Sequence, residues 1–242
     1  MKAREVQLRA FPTWGTVVRR TIFILIIGLA GIAVLLSLGT WQVQRLAWKE
    51  GILADIDAKI SGTPTTLPLS PSEEAHKYLP VEVSGRFFET RIRVLVSQKL
   101  IGAGYRIIQP FQTADRVILV DRGFVKIDQI EDLRNDTATV LGNLHWPDEV
   151  DEYTPEPDLT RDIWFARDVP AVAQALNADP ILVIAREITP SSEKVSPIPI
   201  SSSGIPNDHL QYAITWYSLA TVWAGMSGLF LFGTRRRKSS ET

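Results

Sequence analysis

Two long apolar runs lie near the two ends of the chain, and most of the polar residues lie between them. Thr21–Leu38 contains no charged residue and stays apolar as far as Trp41, and Gln211–Phe232 is likewise uncharged. A helix rises about 1.5 Å per residue, so each run can cross a hydrocarbon core of about 30 Å. The pattern therefore predicts two transmembrane helices in a lipid bilayer, over 21–41 and 208–233.

The first apolar run fits a membrane anchor better than a buried core helix or a secretory signal peptide. A core helix rarely runs this long without a charge, and a signal peptide has a shorter apolar core. Gly39–Thr40–Trp41 is also a poor cleavage site, because signal peptides end in small residues. We therefore expect the first run to be retained as an anchor.

Between the anchors, the spacing of apolar residues changes from that of a helix to that of a strand. Trp41–Ile60 continues the helical spacing beyond the first anchor, and Gly62–Pro71 is a loop rich in Pro, Thr and Ser. Alternation and β-branched residues then predict strands over Val81–Phe88, Ile92–Ser97, Tyr105–Gln112, Val117–Val125, Thr137–Leu144 and Ile181–Ile188.

The connections between these segments indicate the fold class. Glu89–Arg91 and Thr113–Asp115 are short enough for hairpin turns, so the strands on either side of each should pair antiparallel. Pro170–Asn177 predicts a short helix, and Ser191–Pro206 is typical of a tether that returns the chain to the membrane. We therefore predict a membrane protein with two transmembrane helices flanking an α+β domain, over 42–207. An antiparallel β-sheet should dominate this domain, and its closure into a barrel stays open.

The basic residues outside the central domain are concentrated in the two tails, 1–20 and 234–242. Between residues 42 and 207 there are 17 Lys and Arg against 24 Asp and Glu. Because basic flanks stay in the cytoplasm, both termini are predicted to be cytoplasmic and the central domain to lie across the membrane. The first residues do not resemble a long transit peptide, which favours a bacterial inner membrane and a periplasmic domain.

Composition and motifs argue against several function classes. The chain has no cysteine, which excludes disulfides and thiol chemistry, and the acidic central domain argues against nucleic-acid binding. Gly102–Gly104 lacks the third glycine of a dinucleotide loop. His76, His145 and His209 are too far apart for a metal pair at helical spacing. Asp121 could be a reactive carboxylate, but an ion pair or turn contact is favoured, so we predict that the protein is not an enzyme.

His209 lies two residues before the second apolar run and begins a helical face. That face continues through Tyr212, Trp216, Leu219, Trp223 and Met226. A neutral imidazole beside aromatic rings at membrane depth suits a porphyrin, whose iron histidine can bind. The alternative is an interfacial histidine that caps the helix, while the aromatic residues pack against the other anchor; the chemistry alone favours this alternative.

The adjoining face of the second apolar run carries small residues. Their spacing permits close approach of another helix, and they are Ala213, Ala220, Ala224 and Gly228. Gly28 and Gly31 in the first run are the expected counterpart.

Four stretches of the chain resemble the surfeit locus protein family, the membrane-bound assembly factors of haem–copper cytochrome c oxidase. These stretches are Leu38–Leu53, Tyr78–Phe87, Val117–Val125 and Asn207–Ala220. The resemblance implies that the protein helps to mature oxidase subunit I and binds haem a, and that the haem-associated histidine is His209. Asn207–Asp208 departs mildly from the paired asparagines that are common in the family.

Two function classes follow from the resemblance and the residues together. In the first, His209 binds the iron of haem a, Tyr212 and Trp216 pack on or near the ring, and the central domain contacts the oxidase or haem a synthase. In the second, a cofactor-free scaffold holds nascent oxidase subunits. The sequence leaves open whether a homo-oligomer contributes a pair of histidines.

Overall fold

The structure is a computed structural model that describes residues 14–98, 101–129, 134–191 and 194–239. The chain divides into two compact units, of which one comprises Met1–Ile52 with Ile205–Thr242 and the other Leu53–Gly204. The described part of the first unit is dominated by two long helices, and the second unit contains a β-sheet. Where a membrane would begin and end along the chain stays a prediction.

The helices and strands follow the predicted order. They are α1 (Trp14–Ile60), α2 (Glu73–His76), β1 (Pro80–Phe87), β2 (Ile92–Gln98), β3 (Gly102–Gln112), β4 (Val117–Lys126), β5 (Thr137–Leu144), α3 (Val169–Leu176), β6 (Leu182–Thr189), a 3₁₀ turn (Ser202–Gly204) and α4 (His209–Ser239). Five of the six strands begin within a residue of their predicted start, and β3 begins three residues earlier than predicted.

Helix α1 continues without a break from the first apolar run into the polar residues that follow it, as predicted. Within the described residues, only its segment Val18–Ile60 is long and apolar enough to cross a membrane, and 11% of the most apolar window of that segment is buried. Such low burial is unlike that of a soluble core helix. Helix α4 forms where the second anchor was predicted, but several Thr, Ser and Tyr residues dilute its apolar character.

Helices α1 and α4 pack through small residues of α1 and aromatic residues of α4. A Cβ atom at Gly31 would overlap the indole ring of Trp223, and that indole donates from Nε1 to the carbonyl of Gly28 at 3.1 Å. A Cβ atom at Gly39 would overlap the ring of Tyr217 in the same way. Gly28 and Gly31 are packing positions, but the expected counterpart was wrong: Gly31 packs under Trp223, which lies outside the small-residue face of α4, and a Cβ atom at Gly228 would meet no described residue within 4 Å.

The second unit is built on a six-stranded sheet with the order β1-β5-β6-β4-β3-β2. An additional pairing of β1 with β3 sets Arg86 opposite Gln112 and Phe87 opposite Phe111, and it closes five of the strands into a ring. The pairings are antiparallel except that of β4 with β6. The sheet is therefore mixed, although antiparallel pairing dominates it as predicted.

The prediction of a hairpin at Glu89–Arg91 was wrong. Strands β1 and β2 do not pair with each other; both pair antiparallel with β3, one after the other along its length. Phe87 lies opposite Phe111 and Ile92 opposite Ile108, so the segment between them bulges out of one long edge. A short connection with polar residues fits a bulge as well as a turn.

The other predicted connection behaves as expected. Strands β3 and β4 form an antiparallel hairpin around Thr113–Asp115, with Gln112 opposite Val117. Strand β6 then inserts between β4 and β5, and its first four residues are all buried. An apolar run of this kind is typical of a strand buried on both faces, and its central place beside a parallel neighbour explains the burial.

The segment after β6 is more than the tether that was predicted. Ser196 bridges Phe124 of β4 through hydrogen bonds of 2.8 and 2.9 Å, and Val195 is buried against Ile107 and Val125. Ile198 accepts a hydrogen bond from Arg106 Nη2 at 3.2 Å. This part of the segment is therefore fixed to the sheet.

Helix α3 confirms the short helix predicted at Pro170–Asn177. The Asp168 side chain caps its N-terminus by accepting from the Ala171 amide at 3.1 Å, and Asn177 ends it in a left-handed conformation with a φ of 51°. Its buried residues pack in a core with β2, β4 and β6.

Candidate functional site

His209 is the first residue of α4, and its ring contacts a polar residue of α1. Its Nδ1 lies 2.8 Å from Oε1 of Gln42. Gln42 is 8% exposed, whereas the His209 ring is half-buried. The contact therefore ties the start of one long helix to the middle of the other.

The Gln42 contact determines which ring nitrogen of His209 carries the proton. With Oε1 of Gln42 facing the ring, Nδ1 of His209 is assigned as the donor, because an amide oxygen can only accept. In a neutral ring the lone pair is then on Nε2. The arrangement leaves a nitrogen that can bind a metal ion.

Tyr212 and Trp216 lie three and seven residues after His209, one and two turns further along α4. Tyr212 is 56% exposed, and Trp216 is half-buried. Neither side chain is enclosed, so both rings have faces that another molecule can contact. Their role as cofactor-binding residues stays a prediction.

The Trp223 side chain, further along the same face, packs against α1. Its indole fills the space over Gly31 and donates to the Gly28 carbonyl. This part of the face therefore matches the alternative in which aromatic residues pack against the other helix. The exposed surface that remains begins nearer His209, with Tyr212 and Leu219.

Asn207 adds a polar atom close in sequence to His209. Its Oδ1 is buried and accepts no hydrogen bond from any residue in the described part of the chain. A buried oxygen of this kind is usually satisfied by water or a ligand.

Asp121, the carboxylate considered for chemistry, is fully buried inside β4 and not at the end of the strand. Its Oδ2 pairs with Arg106 Nε at 2.7 Å and Arg167 Nη1 at 3.3 Å, and its Oδ1 accepts from the Gly123 amide at 3.0 Å. Both oxygens are occupied, so the ion-pair interpretation is confirmed.

Arg167 also forms a bidentate ion pair with Glu149, donating from Nε and Nη2. It thereby joins the buried Asp121 to the acidic loop after β5. Burial raises the pKa of Glu149, but the hydrogen bonds and charge of Arg167 outweigh burial and hold that pKa below its usual value. The pKa of Arg167 is raised in turn: burial opposes the charge, and Glu149 and Asp121 more than compensate. The network fixes the loop that follows β5.

The other two histidines lie in the second unit. His76 accepts from the Ser72 amide at 3.1 Å, which is a local turn contact. His145 stacks on Tyr78 with ring centroids 5.4 Å apart. Among the described residues, no group of three His, Asp or Glu side chains is arranged to hold a metal ion.

The SURF1 family profile matches residues 29–221 of the chain, which includes most of α1, the whole sheet and the first part of α4. The chain belongs to the SURF1 family. The match begins inside α1 and ends inside α4, so the family's defining region contains Gln42, His209, Tyr212 and Trp216.

Individual relatives of the SURF1 family agree with this assignment. Surfeit locus protein 1 of Xenopus tropicalis is 30% identical over 214 residues, covering 76% of this chain and 67% of its own length. A SURF1-like protein of Monosiga brevicollis is 31% identical and covers 78% and 80%. A SURF1-like protein of the bacterium Rickettsia felis is 30% identical and covers 77% and 87%.

Gln42 is the site residue that sequence reasoning missed. It was assigned to the helix that continues beyond the first anchor, without a role. A signal was present: Gly28, Leu35 and Gln42 recur at intervals of seven residues, which places one amide on the seam that α1 presents to α4. A lone polar residue on such a seam indicates a specific partner across it.

Proposed function

We propose that this SURF1-family protein is an assembly factor for haem–copper cytochrome c oxidase, and that it binds haem a and assists its insertion into, or stabilisation in, subunit I. The observation that carries the proposal is the His209 ring, which donates from Nδ1 to Gln42 and has its lone pair on Nε2. Family membership supplies the connection to the oxidase, and the histidine supplies the connection to haem.

The donor set fits a haem iron. His209 would hold the iron through Nε2, because a neutral imidazole nitrogen commonly binds haem iron. The other nitrogen of such a ligand normally donates to an oxygen, and His209 Nδ1 lies 2.8 Å from Gln42 Oε1. The exposed ring of Tyr212 and the half-buried ring of Trp216 would pack on or near the macrocycle and keep water away. The Asn207 Oδ1 atom, which has no hydrogen-bond partner among the described residues, adds an acceptor for a polar substituent of the cofactor.

Haem a held in this way is a cargo, whose chemistry is used only after it reaches the oxidase. The chain's own residues bind it, orient it and exclude water. The protein performs no turnover chemistry in this proposal. Asp121, the one carboxylate considered for catalysis, has both oxygens occupied by hydrogen bonds.

The proposal includes the two-pass topology in a bacterial inner membrane, with both termini cytoplasmic and the sheet unit periplasmic. The length and apolar character of α1 support it, as do the basic tails and the similarity to a Rickettsia protein. With this topology, His209 lies at the periplasmic end of α4. In this proposal the sheet unit contacts subunit I or haem a synthase, and a homo-oligomer would bring two copies of His209 to one assembly.

The experiment that tests this function uses a bacterial host that lacks its own SURF1-family gene. We expect the wild-type protein to restore the haem a content of purified oxidase and His209→Ala to leave it several-fold lower. His76→Ala, which removes an exposed hydrogen bond at the short helix α2 of the other unit, is the matched control and should restore it fully. If His209→Ala restored the haem a content as fully as wild type, at equal protein level, then His209 would not be needed for this function.

A cofactor-free scaffold is the second candidate, and one observation favours it. Two side chains of α4 make hydrogen bonds to α1: Trp223 bonds to the Gly28 carbonyl, and His209 bonds to Gln42. Such bonds are expected of residues that only hold two helices together. In that case His209→Ala should lower the recovery of subunit I with the protein, and no preparation should carry haem absorbance. Recovery of subunit I that stays unchanged alongside lost haem would instead favour the haem-binding candidate.

A further inference from the structure

Gln42 is a buried polar residue of α1. It is neutral, 8% exposed, and lies on the side of α1 that packs against α4. Burying an amide costs free energy unless it is hydrogen-bonded. Its partner His209 lies 167 residues further along the chain, so the two helices must be paired before this contact forms.

The contact selects one of two states of the His209 ring. A neutral histidine carries its single ring proton on either nitrogen. A proton on Nε2 would leave two lone pairs, on Nδ1 and on the Gln42 oxygen, facing each other at 2.8 Å. With the amide oxygen toward the ring, the state with the proton on Nδ1 is the one that makes a hydrogen bond.

We infer that Gln42 is a positioning residue: its side-chain oxygen holds His209 in the Nδ1-protonated tautomer and so presents the Nε2 lone pair to an iron-containing porphyrin. This inference rests on the proposed function for the identity of the ligand. The tautomer itself is a property of the haem-free protein. Pairing of α1 with α4 thereby becomes a condition for metal binding.

The first measurement needs no haem. The full-length protein, labelled with ¹⁵N-histidine and held in detergent micelles, reports the tautomer through the shifts of the two ring nitrogens of His209, assigned by comparison with His209→Ala. Spectra are taken at a pH of about 8.5, roughly two units above the ordinary imidazole pKa. We expect the wild-type ring to be protonated at Nδ1 alone.

Two variants separate the acceptor from the packing. Gln42→Met fills a similar volume without an oxygen, and it should give a mixture of both tautomers. Gln42→Glu keeps an oxygen in place and should retain the Nδ1-protonated form. A merely structural role for Gln42 predicts the same tautomer in all three proteins, and that result would overturn the inference. Helix content and elution volume of each variant show whether it is folded. If Gln42→Met is not, the wild-type spectrum still decides, because a wild-type His209 ring protonated at Nε2 would overturn the inference.

The second measurement titrates haem a into the same proteins. Loss of a hydrogen-bond partner behind a metal-binding histidine typically lowers affinity by about 10–100-fold. We expect a loss in this range for Gln42→Met and a much smaller one for Gln42→Glu. Equal affinity in all three, with wild type binding haem through His209, would overturn the inference but leave the proposed function intact. Wild-type protein that binds no haem would overturn the proposed function, and the tautomer shifts would still decide the role of Gln42.

Discussion

His145, at the end of β5, is an ionisable group that the fold keeps uncharged. Its ring stacks on Tyr78, and its Nδ1 is buried without a partner among the described residues. Burial is the main cause that lowers the pKa of His145 to about 4, and the nearby charges of Arg167 and Lys77 add to it. The ring is therefore neutral in the folded protein throughout the physiological pH range.

This pKa shift predicts an acid-dependent loss of stability. An unfolded histidine binds a proton below a pH of about 6.5, whereas the folded one does so only near pH 4, so acid favours the unfolded chain. We expect the free energy of unfolding to fall between these values by about 1–2 kcal/mol on account of His145, allowing for its partial exposure.

His145→Phe keeps the stacking on Tyr78 and removes the titration. Chemical unfolding of the intact protein in detergent, repeated at several pH values, should show a shallower acid dependence for this variant than for wild type. Parallel curves for the two proteins would contradict the assigned role of His145.

At the scale of elements, the segment after β6 depends on one glycine. Gly123 in β4 has a φ of 113°, and a Cβ atom there would overlap the backbone of Ser196 and Pro197. Gly102 at the start of β3 has a similar φ of 103°, but a Cβ atom there would meet no described residue within 4 Å. Both positions would strain the backbone of a residue with a side chain, but only Gly123 would also bring that side chain into contact with another segment.

Alanine at these two positions makes a matched comparison. Gly102→Ala should lower the free energy of unfolding by about 1–3 kcal/mol through strain alone. Gly123→Ala should cost about 1–3 kcal/mol more, because the segment at Ser196 must also move away from β4. Denaturant titration of both variants measures the difference. Equal losses would mean that the segment is not held against the sheet at Gly123.

At the scale of the whole molecule, local pattern predicted the elements well and their arrangement less well. Alternating apolar residues located β5 at Thr137–Leu144, because residues that face a core repeat every second position whatever the partner strand. The segment at 88–91 was mistaken for a turn, since length alone cannot distinguish a turn from a bulge along β3. The insertion of β6 beside β4 is a long-range pairing that no local signal contains.

The sequence likewise indicated one residue of the candidate site and missed another. His209 stood out in the sequence because of its position before an apolar run and the aromatic spacing that follows it. Gln42 did not, because its meaning depends on a helix 167 residues away. Trp223 was grouped with the candidate cofactor face by spacing, and only the packing against Gly31 separates it from that group.

The measurement that most directly tests haem binding by His209 is an optical spectrum of the detergent-purified protein, produced together with the enzymes that make haem a. Wild type and His76→Ala should both carry haem a absorbance, and His209→Ala should lose it while remaining folded. A wild-type protein that is folded and colourless, or a His209→Ala protein that is loaded equally, would contradict the account.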